Sequence, residues 1–379
     1  MGEDVGSGIK VNADYVIIRN IKVSGPVLGI VIGDGNHDVV IEGTEVTNWG
    51  GFIAAEDRAR YGDSSQYFGS SDEAIVIPKD AYRITIQRNY LHTPRTDSNT
   101  WKEMIETQWK CISKKSNRCH PWGPRAILMQ TGNQGIQRII RYNTFAGTRT
   151  HMFEDSISGG TNDSDIHGNF FTGFVDDAME IDGIGRNTRV WGNRIHVIAP
   201  DGSINGPVFN QPAIFSTSPI DVGPIFIWRN LVTIDPDTKI AQVVKKQTKS
   251  ERVNRTMPVE TEYGRLYYFH NTSQSGRISG SGPLVVGIYA YNNVVQNGIQ
   301  SGNIDFEYIN NLSGESVLSQ LDANFIVKPG TDGVNAGVFI PNFSDSYEGS
   351  APDIGYQEAG GTGINVGHTA STPAETNDK

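Results

Sequence analysis

The sequence predicts a single-domain, all-β, right-handed parallel β-helix solenoid with loop insertions on one edge. Three observations predict it: a short apolar unit that ends in Asn and recurs along the chain, strict period-2 alternation inside that unit, and the lack of apolar runs spaced three and four apart. The unit appears as Val16-Ile17-Ile18-Arg19-Asn20-Ile21 and again as Ile84-Thr85-Ile86-Gln87-Arg88-Asn89-Tyr90. It returns around Asn143, Asn169, Asn193, Asn230, Asn271, Asn293 and Asn311, and Gly43 stands in the Asn slot of the second copy. The steps are 23, 46, 54, 26, 24, 37, 41, 22 and 18 residues. The short steps define one coil of stacked strands, and the long ones read as a coil plus an insertion. Asn suits a tight corner because it tolerates left-handed backbone angles and its amide can bond the same amide one coil away.

Each coil carries a second strand upstream of the Asn strand. Stacking these strands by eye puts Ile75, Ile127, Met152, Met179 and Ile214 in one apolar column that faces the core. Side chains alternate along a strand, so the flanking columns face outward. The insertions span about residues 48–72, 92–124, 200–211 and 234–263, and all four are expected to leave one edge and wall a groove. The coils are assigned to residues 1–359, and residues 360–379, rich in Gly, Thr and Ala, to a flexible tail.

Bulk composition narrows the function. The 379 residues carry a formal charge of -10, which argues against nucleic acid or an anionic membrane as partner. No apolar run is long enough to span a bilayer. The two cysteines, Cys111 and Cys119, share one polar loop and fit either a disulfide or two quiet thiols.

The chemistry concentrates in two consecutive coils. Asp155 and Asp182 are expected in the same outward column, about 5 Å apart at strand spacing. That is the separation of a retaining glycosidase, in which one carboxyl protonates the leaving oxygen and the other attacks the anomeric carbon. Glu154, Asp177 and Glu180 are further catalytic candidates around that pair. Oxygen-rich clusters also hold hard cations, so Asp176 and Asp177 are the metal candidates, with calcium the ion expected; hydrolysis itself needs no cofactor. Substrate-binding candidates are His151, Gln130, Arg125, Lys79, Trp101 and Trp122, the two indoles offering faces on which sugar rings can stack. For β-elimination the basic candidates are Lys79, Arg125 and Arg149.

With its coils, the run Asp176-Asp177-Ala178-Met179-Glu180-Ile181-Asp182-Gly183 and the run Pro352-Asp353-Ile354-Gly355-Tyr356-Gln357-Glu358, the chain resembles the superfamily of bacterial right-handed parallel β-helix proteins. That group includes pectate and alginate lyases, polygalacturonases, other glycoside hydrolases, uronan epimerases and phage tailspikes. The last run resembles an Asp-Ile-Gly-x-x-Glu signature found in secreted members, and the Asp176-Asp177 pair resembles one that polygalacturonases carry on a strand. The polygalacturonase Gly-His-Gly and Arg-x-Lys runs and the alginate-lyase Asn-Asn-Ala-His-Gly run are missing. The resemblance therefore implies a glycoside hydrolase acting on a polysaccharide or oligosaccharide. The alternatives are a calcium-assisted polysaccharide lyase and a non-catalytic glycan-binding β-helix. A monomer, secreted or periplasmic with its signal peptide absent from this chain, is the expected setting.

Overall fold

The computed structural model describes residues 6–50, 72–95, 124–130, 136–181, 185–199, 208–217, 224–236, 238–247, 265–281, 287–300 and 306–371. The chain winds through three parallel sheets of ten, ten and nine strands, and successive coils pair with one another in each sheet. Sheet A runs from Ile9–Val11 to Ile299–Gln300, sheet B from Ile17–Arg19 to Phe306–Ile309, and sheet C from Lys22–Ser24 to Val294–Val295. This is a parallel β-helix, and the right-handed sense is the one that crossovers between parallel strands adopt. Among the described residues no helix is long and apolar enough to cross a membrane.

The core is a set of stacked columns, each supplied by one position of the repeat. Sheet A contributes Ile75, Ile127, Ile157, Met179, Phe215 and Val244, all fully buried. Sheet B contributes Ile41, Ile86, Ile140, Ile166, Val190 and Ile227. In sheet C, Phe145 and Phe171 stack with ring centroids 4.6 Å apart.

Eight asparagines close the corner between sheets B and C. Asn89 donates its main-chain N–H and its Nδ2 to Oδ1 of Asn143, each at 3.0 Å, and sends the other Nδ2 hydrogen to the carbonyl of Ile41 at 2.9 Å. The same set repeats from Asn143 to Asn169, Asn193, Asn230, Asn271, Asn293 and Asn311. Each buried amide thus satisfies the main chain of the coil before it.

The left-handed backbone belongs to the residue before each of these asparagines, not to the Asn itself. Arg88, Tyr142, Gly168, Gly192, Arg229, His270, Asn292 and Asn310 all have φ between 48° and 65°. Asn20 (φ 56°) and Gly43 (φ 58°) occupy that same preceding slot, because Arg19 pairs with Glu42 and Glu42 with Gln87. The first two copies therefore lie one position off the ladder, which begins at Asn89.

One of the four insertions departs from expectation. The connections at 48–72, 93–124 and 198–207 do run from sheet C to sheet A. Residues 238–247, read as part of the fourth insertion, instead form a sheet A strand with Ile240, Val243 and Val244 buried. The extra chain there is 248–264, which joins sheet A to sheet B, so sheet A receives insertions at both of its edges. Most of the inserted residues lie outside the described set.

After Leu312 the chain turns back along the coils. Asp353 anchors it, accepting from the N–H of Asn335 at 2.6 Å and of Ala359 at 2.7 Å. Gly355 (φ 113°) packs so closely that a Cβ would lie 2.9 Å from Oγ1 of Thr272. The Asp-Ile-Gly run is thus a fastening for the returning segment. The stretch read as a flexible tail makes specific contacts as far as Ala370: Gly367 N–H donates to Gly168, His368 stacks on Tyr90 at 4.6 Å, and Arg88 donates to the Ala370 carbonyl. Residues 372–379 lie outside the described set.

Asn169→Ala leaves the Nδ2 and N–H of Asn143 without an acceptor in a dry corner, at a cost on the order of 3 kcal/mol. Asn311→Ala, at the half-exposed end of the ladder, should cost well under half of that; chemical denaturation of the two variants measures the difference.

Candidate functional site: a buried acidic cluster

The local register around the acids is set by a tight turn. Thr148 and His151 exchange main-chain hydrogen bonds of 3.0 and 3.2 Å, so residues 148–151 close on themselves before the chain enters sheet A. The strand of this coil is Ile157–Ser158, not the stretch ending at Asp155. Ile157 pairs with Ile127 on one side and Met179 on the other, which replaces Met152 in the core column. Farther on, Phe215 rather than Ile214 stands opposite Met179.

This five-residue slip changes the neighbour of Asp155. Ala126 N–H donates to the Asp155 carbonyl and Ser156 N–H to the Asp177 carbonyl, so Arg125, Asp155 and Asp177 follow one another in adjacent coils. The expected partner of Asp155, Asp182, lies outside the described residues. The pair in the structure is Asp155 and Asp177, tied further by the Asp177 N–H donating to Asp155 Oδ1 at 3.0 Å. One residue earlier, Asp176 N–H donates to the Glu154 carbonyl at 3.0 Å, which aligns those two acids as well.

Asp155, Asp176 and Asp177 each offer one carboxylate oxygen to a group whose members lie within 4.8 Å of one another, and all three residues are buried. Glu180 stands at the rim, accepting from Ser158 Oγ at 2.7 Å. Glu154 and Glu73 complete the acidic set. Arg125 meets it with Nη2 3.1 Å from Glu154 Oε2, Nη1 3.6 Å from Glu73 Oε1 and Nε 3.8 Å from Asp155 Oδ2. Beneath it, the buried Trp49 donates Nε1 to the carbonyls of Asp72 and Arg125 and stacks on Phe153 at 5.8 Å.

Burial dominates the electrostatics. It pushes the Asp155 carboxyl well above the ordinary carboxylate range, helped by the charges of Glu180 and Glu154. Burial also raises Glu180, although the Ser158 hydroxyl opposes it. Glu154, followed by Asp155 and Glu73, holds the Arg125 guanidinium firmly charged. Among the described residues six carboxylates and one guanidinium share this region, and protonation or a bound cation would relieve the excess of negative charge.

The donor set fits a hard divalent cation. Calcium takes oxygen ligands at about 2.3–2.6 Å, so ligand oxygens around one ion lie up to roughly 5 Å apart. Asp155, Asp176 and Asp177 satisfy that limit.

Other sequence candidates are not gathered here. Gln130 is exposed, five residues beyond Arg125 at the far end of its strand. Lys79 is exposed in the turn after Glu73–Ile77. His151 is half-buried in the preceding turn, with Nδ1 3.0 Å from Thr150 Oγ1. Arg149 is committed to Asp235 and the Ala199 carbonyl. Trp101 and Trp122 lie outside the described residues. Sequence reasoning missed Glu73, Ser158 and Lys245. The last lies at the register position that runs Ser158, Glu180, Ser216, Lys245, two coils beyond Glu180.

Because the folded pKa values of Asp155 and Glu180 lie above their ordinary 3.8 and 4.5, folding favours their protonated forms. Their contribution to stability is complete below about pH 4 and is lost as pH rises through the folded values. Thermal unfolding in chelator should therefore show the site weakening the fold between mildly acid and neutral pH. Millimolar calcium should remove most of that loss, and Asp155→Asn should flatten the chelator curve.

No protein-family model matches the chain, and no curated protein matches it. Among solved structures it is similar to the crystal structure of pectate lyase Pel9A, with TM-score 0.46 and 16% identity over 90% of this chain and 77% of that one. At that distance, what the site does has to be read from the residues of this chain.

Proposed function

We propose that the chain is a carbohydrate-active enzyme that holds a divalent cation, calcium by preference, at Asp155, Asp176 and Asp177 and cleaves a uronate-containing polysaccharide by β-elimination. The observation that carries this reading is the meeting of three buried carboxylate oxygens within 4.8 Å, in a region where Arg125 supplies one compensating charge. A glycosidase nucleophile needs an open face toward an anomeric carbon, and Asp155 is only 1% exposed.

A bound cation would neutralise a uronate carboxylate and so lower the cost of charge developing beside it when the neighbouring proton leaves. The chain's own residues do the rest. Asp155, Asp176 and Asp177 fix the ion, and Glu180 with Ser158 forms the rim toward the outer face of sheet A. Along that face the register offers Lys245 as the base, roughly 10 Å from Glu180 at two strand spacings. Lys245 takes the C5 proton, the released electron pair forms the C4–C5 double bond, and the C4–O bond breaks with its electrons going to the leaving oxygen.

One observation supports the hydrolase reading. Glu180 sits at the rim with its carboxyl pushed toward the protonated form, as a general acid requires. Products separate the two readings, because elimination leaves an unsaturated sugar end that absorbs in the ultraviolet and hydrolysis does not.

Incubation with uronate polymers should release ultraviolet-absorbing products and stop in chelator. Lys245→Ala should lower kcat by roughly 10²–10⁴-fold while calcium binding persists. Asp176→Asn should weaken calcium binding and activity together. New reducing ends without ultraviolet absorbance would instead establish hydrolysis.

A further inference from the structure

The residues that precede the rungs of the asparagine ladder also hold the returning segment. Asn310 Nδ2 donates to the Ala336 carbonyl at 2.7 Å, and Asn292 accepts from Val338 N–H at 2.9 Å and donates to the Val338 carbonyl at 2.8 Å. Arg229 reaches the Phe343 and Tyr356 carbonyls at 3.3 and 3.4 Å, and Gly168 and Arg88 take the chain at Gly367 and Ala370. The one imidazole in this column is His270, which is fully buried, as are Asn292 and Ser344 around it. Its Nε2 lies 2.7 Å from Ser344 Oγ and 3.1 Å from Asn292 Nδ2. The Asn292 amide cannot turn round, because Val338 holds both of its ends. Ser344 Oγ accepts from Ile340 N–H at 3.3 Å and has its own proton to give the imidazole. Nε2 is therefore an acceptor, and the ring is neutral.

We infer that His270 is an acid-sensitive latch: protonation at Nε2 breaks its bonds to Ser344 and Asn292 and frees the returning segment around residues 336–356 from the coils. A proton on Nε2 points at an amide N–H that cannot become an acceptor, in a place closed to water. The charged groups around it give little relief. Arg229, in the coil before, adds a like charge, and Asn292, in the coil after, carries none. Asp353 and Glu358, on the returning segment, are bonded to the main-chain N–H groups of Asn335, Ala359 and Asp353. Burial, followed by Arg229, pushes the imidazole from its ordinary 6.5 down to about 3, and the main chain at Asp353 and Gly355 opposes this more weakly. Above pH 6.5 the latch is fully closed. Below it the opened segment takes the proton more readily than the closed one, so closure weakens by up to about tenfold per pH unit until the folded value is reached. Opening also uncovers aromatic rings, because Phe343 packs on Phe226, Trp228 and Phe269 at 5.8, 5.2 and 5.2 Å.

Amide hydrogen exchange of the wild-type chain and of His270→Gln between pH 7 and pH 5, corrected for intrinsic exchange rates, tests the inference without any assay of activity. In the wild type, protection at Val338, Ser344 and Gly355 should fall roughly tenfold per pH unit below about pH 6.5, while Asn143 and Asn169 in the ladder stay protected. The side-chain amide of His270→Gln can accept the same two bonds and takes no proton, so its protection should stay flat. Loosening of equal size in both chains would assign the effect to Asp353 or Glu358 and overturn the inference. So would wild-type protection that does not change with pH. If His270→Gln does not fold, ring NMR of the wild type decides. Charging of the His270 ring should coincide with loss of protection at Ser344, and a ring that charges while Ser344 stays protected would overturn the latch.

Discussion

Coils of a parallel β-helix repeat at the strand spacing of about 4.8 Å, and that distance governs everything else in this molecule. Whatever residue occupies a position in one coil meets its counterpart in the next at contact range. For apolar side chains the result is a continuous core, as in the column from Ile75 to Val244. For asparagine it is a ladder of shared hydrogen bonds from Asn89 to Asn311. For carboxylates it is a conflict, since Asp155 and Asp177 must sit side by side in a region from which water is largely excluded.

The acidic cluster can be understood as the management of that conflict. Main-chain N–H groups take part of the charge, as Asp177 does for Asp155, and the Ser158 hydroxyl does the same for Glu180. Arg125 balances the acids on one side. On the other, protons or an ion can do so, and the group of three oxygens is of the size an ion needs. Trp49 keeps the arrangement stiff by bonding the backbone of Arg125 and packing on Phe153, next to Glu154. A site held by a coil-to-coil ladder and a buried indole is one whose geometry a ligand does not have to create.

Much of this was legible in the sequence because stacking writes itself as repetition. The Asn-tagged strands gave the architecture, and six of the residues singled out from sequence (Arg125, Glu154, Asp155, Asp176, Asp177 and Glu180) do meet in one place. Their pairing was not legible, because a strand alignment by eye has no way to see the turn at Thr148–His151 that shifts Asp155 opposite Asp177. The cue was present in Asp155-Ser156-Ile157-Ser158 and Asp177-Ala178-Met179-Glu180, which share an acid, a small residue, an apolar residue and a polar one. Glu73 and Lys245 stayed hidden for a different reason. Each is an ordinary charged residue on its own strand and gains meaning only from neighbours 52 to 65 positions away.

The most direct test of the central claim is an anomalous-difference map from crystals of the protein soaked in manganese, a divalent ion that takes the same oxygen ligands and can be located by its own scattering. The account predicts one strong peak bounded by carboxylate oxygens of Asp155, Asp176 and Asp177, with Arg125 still against Glu154. A map with no peak there, and the three carboxylates hydrogen-bonded to one another through shared protons, would contradict it.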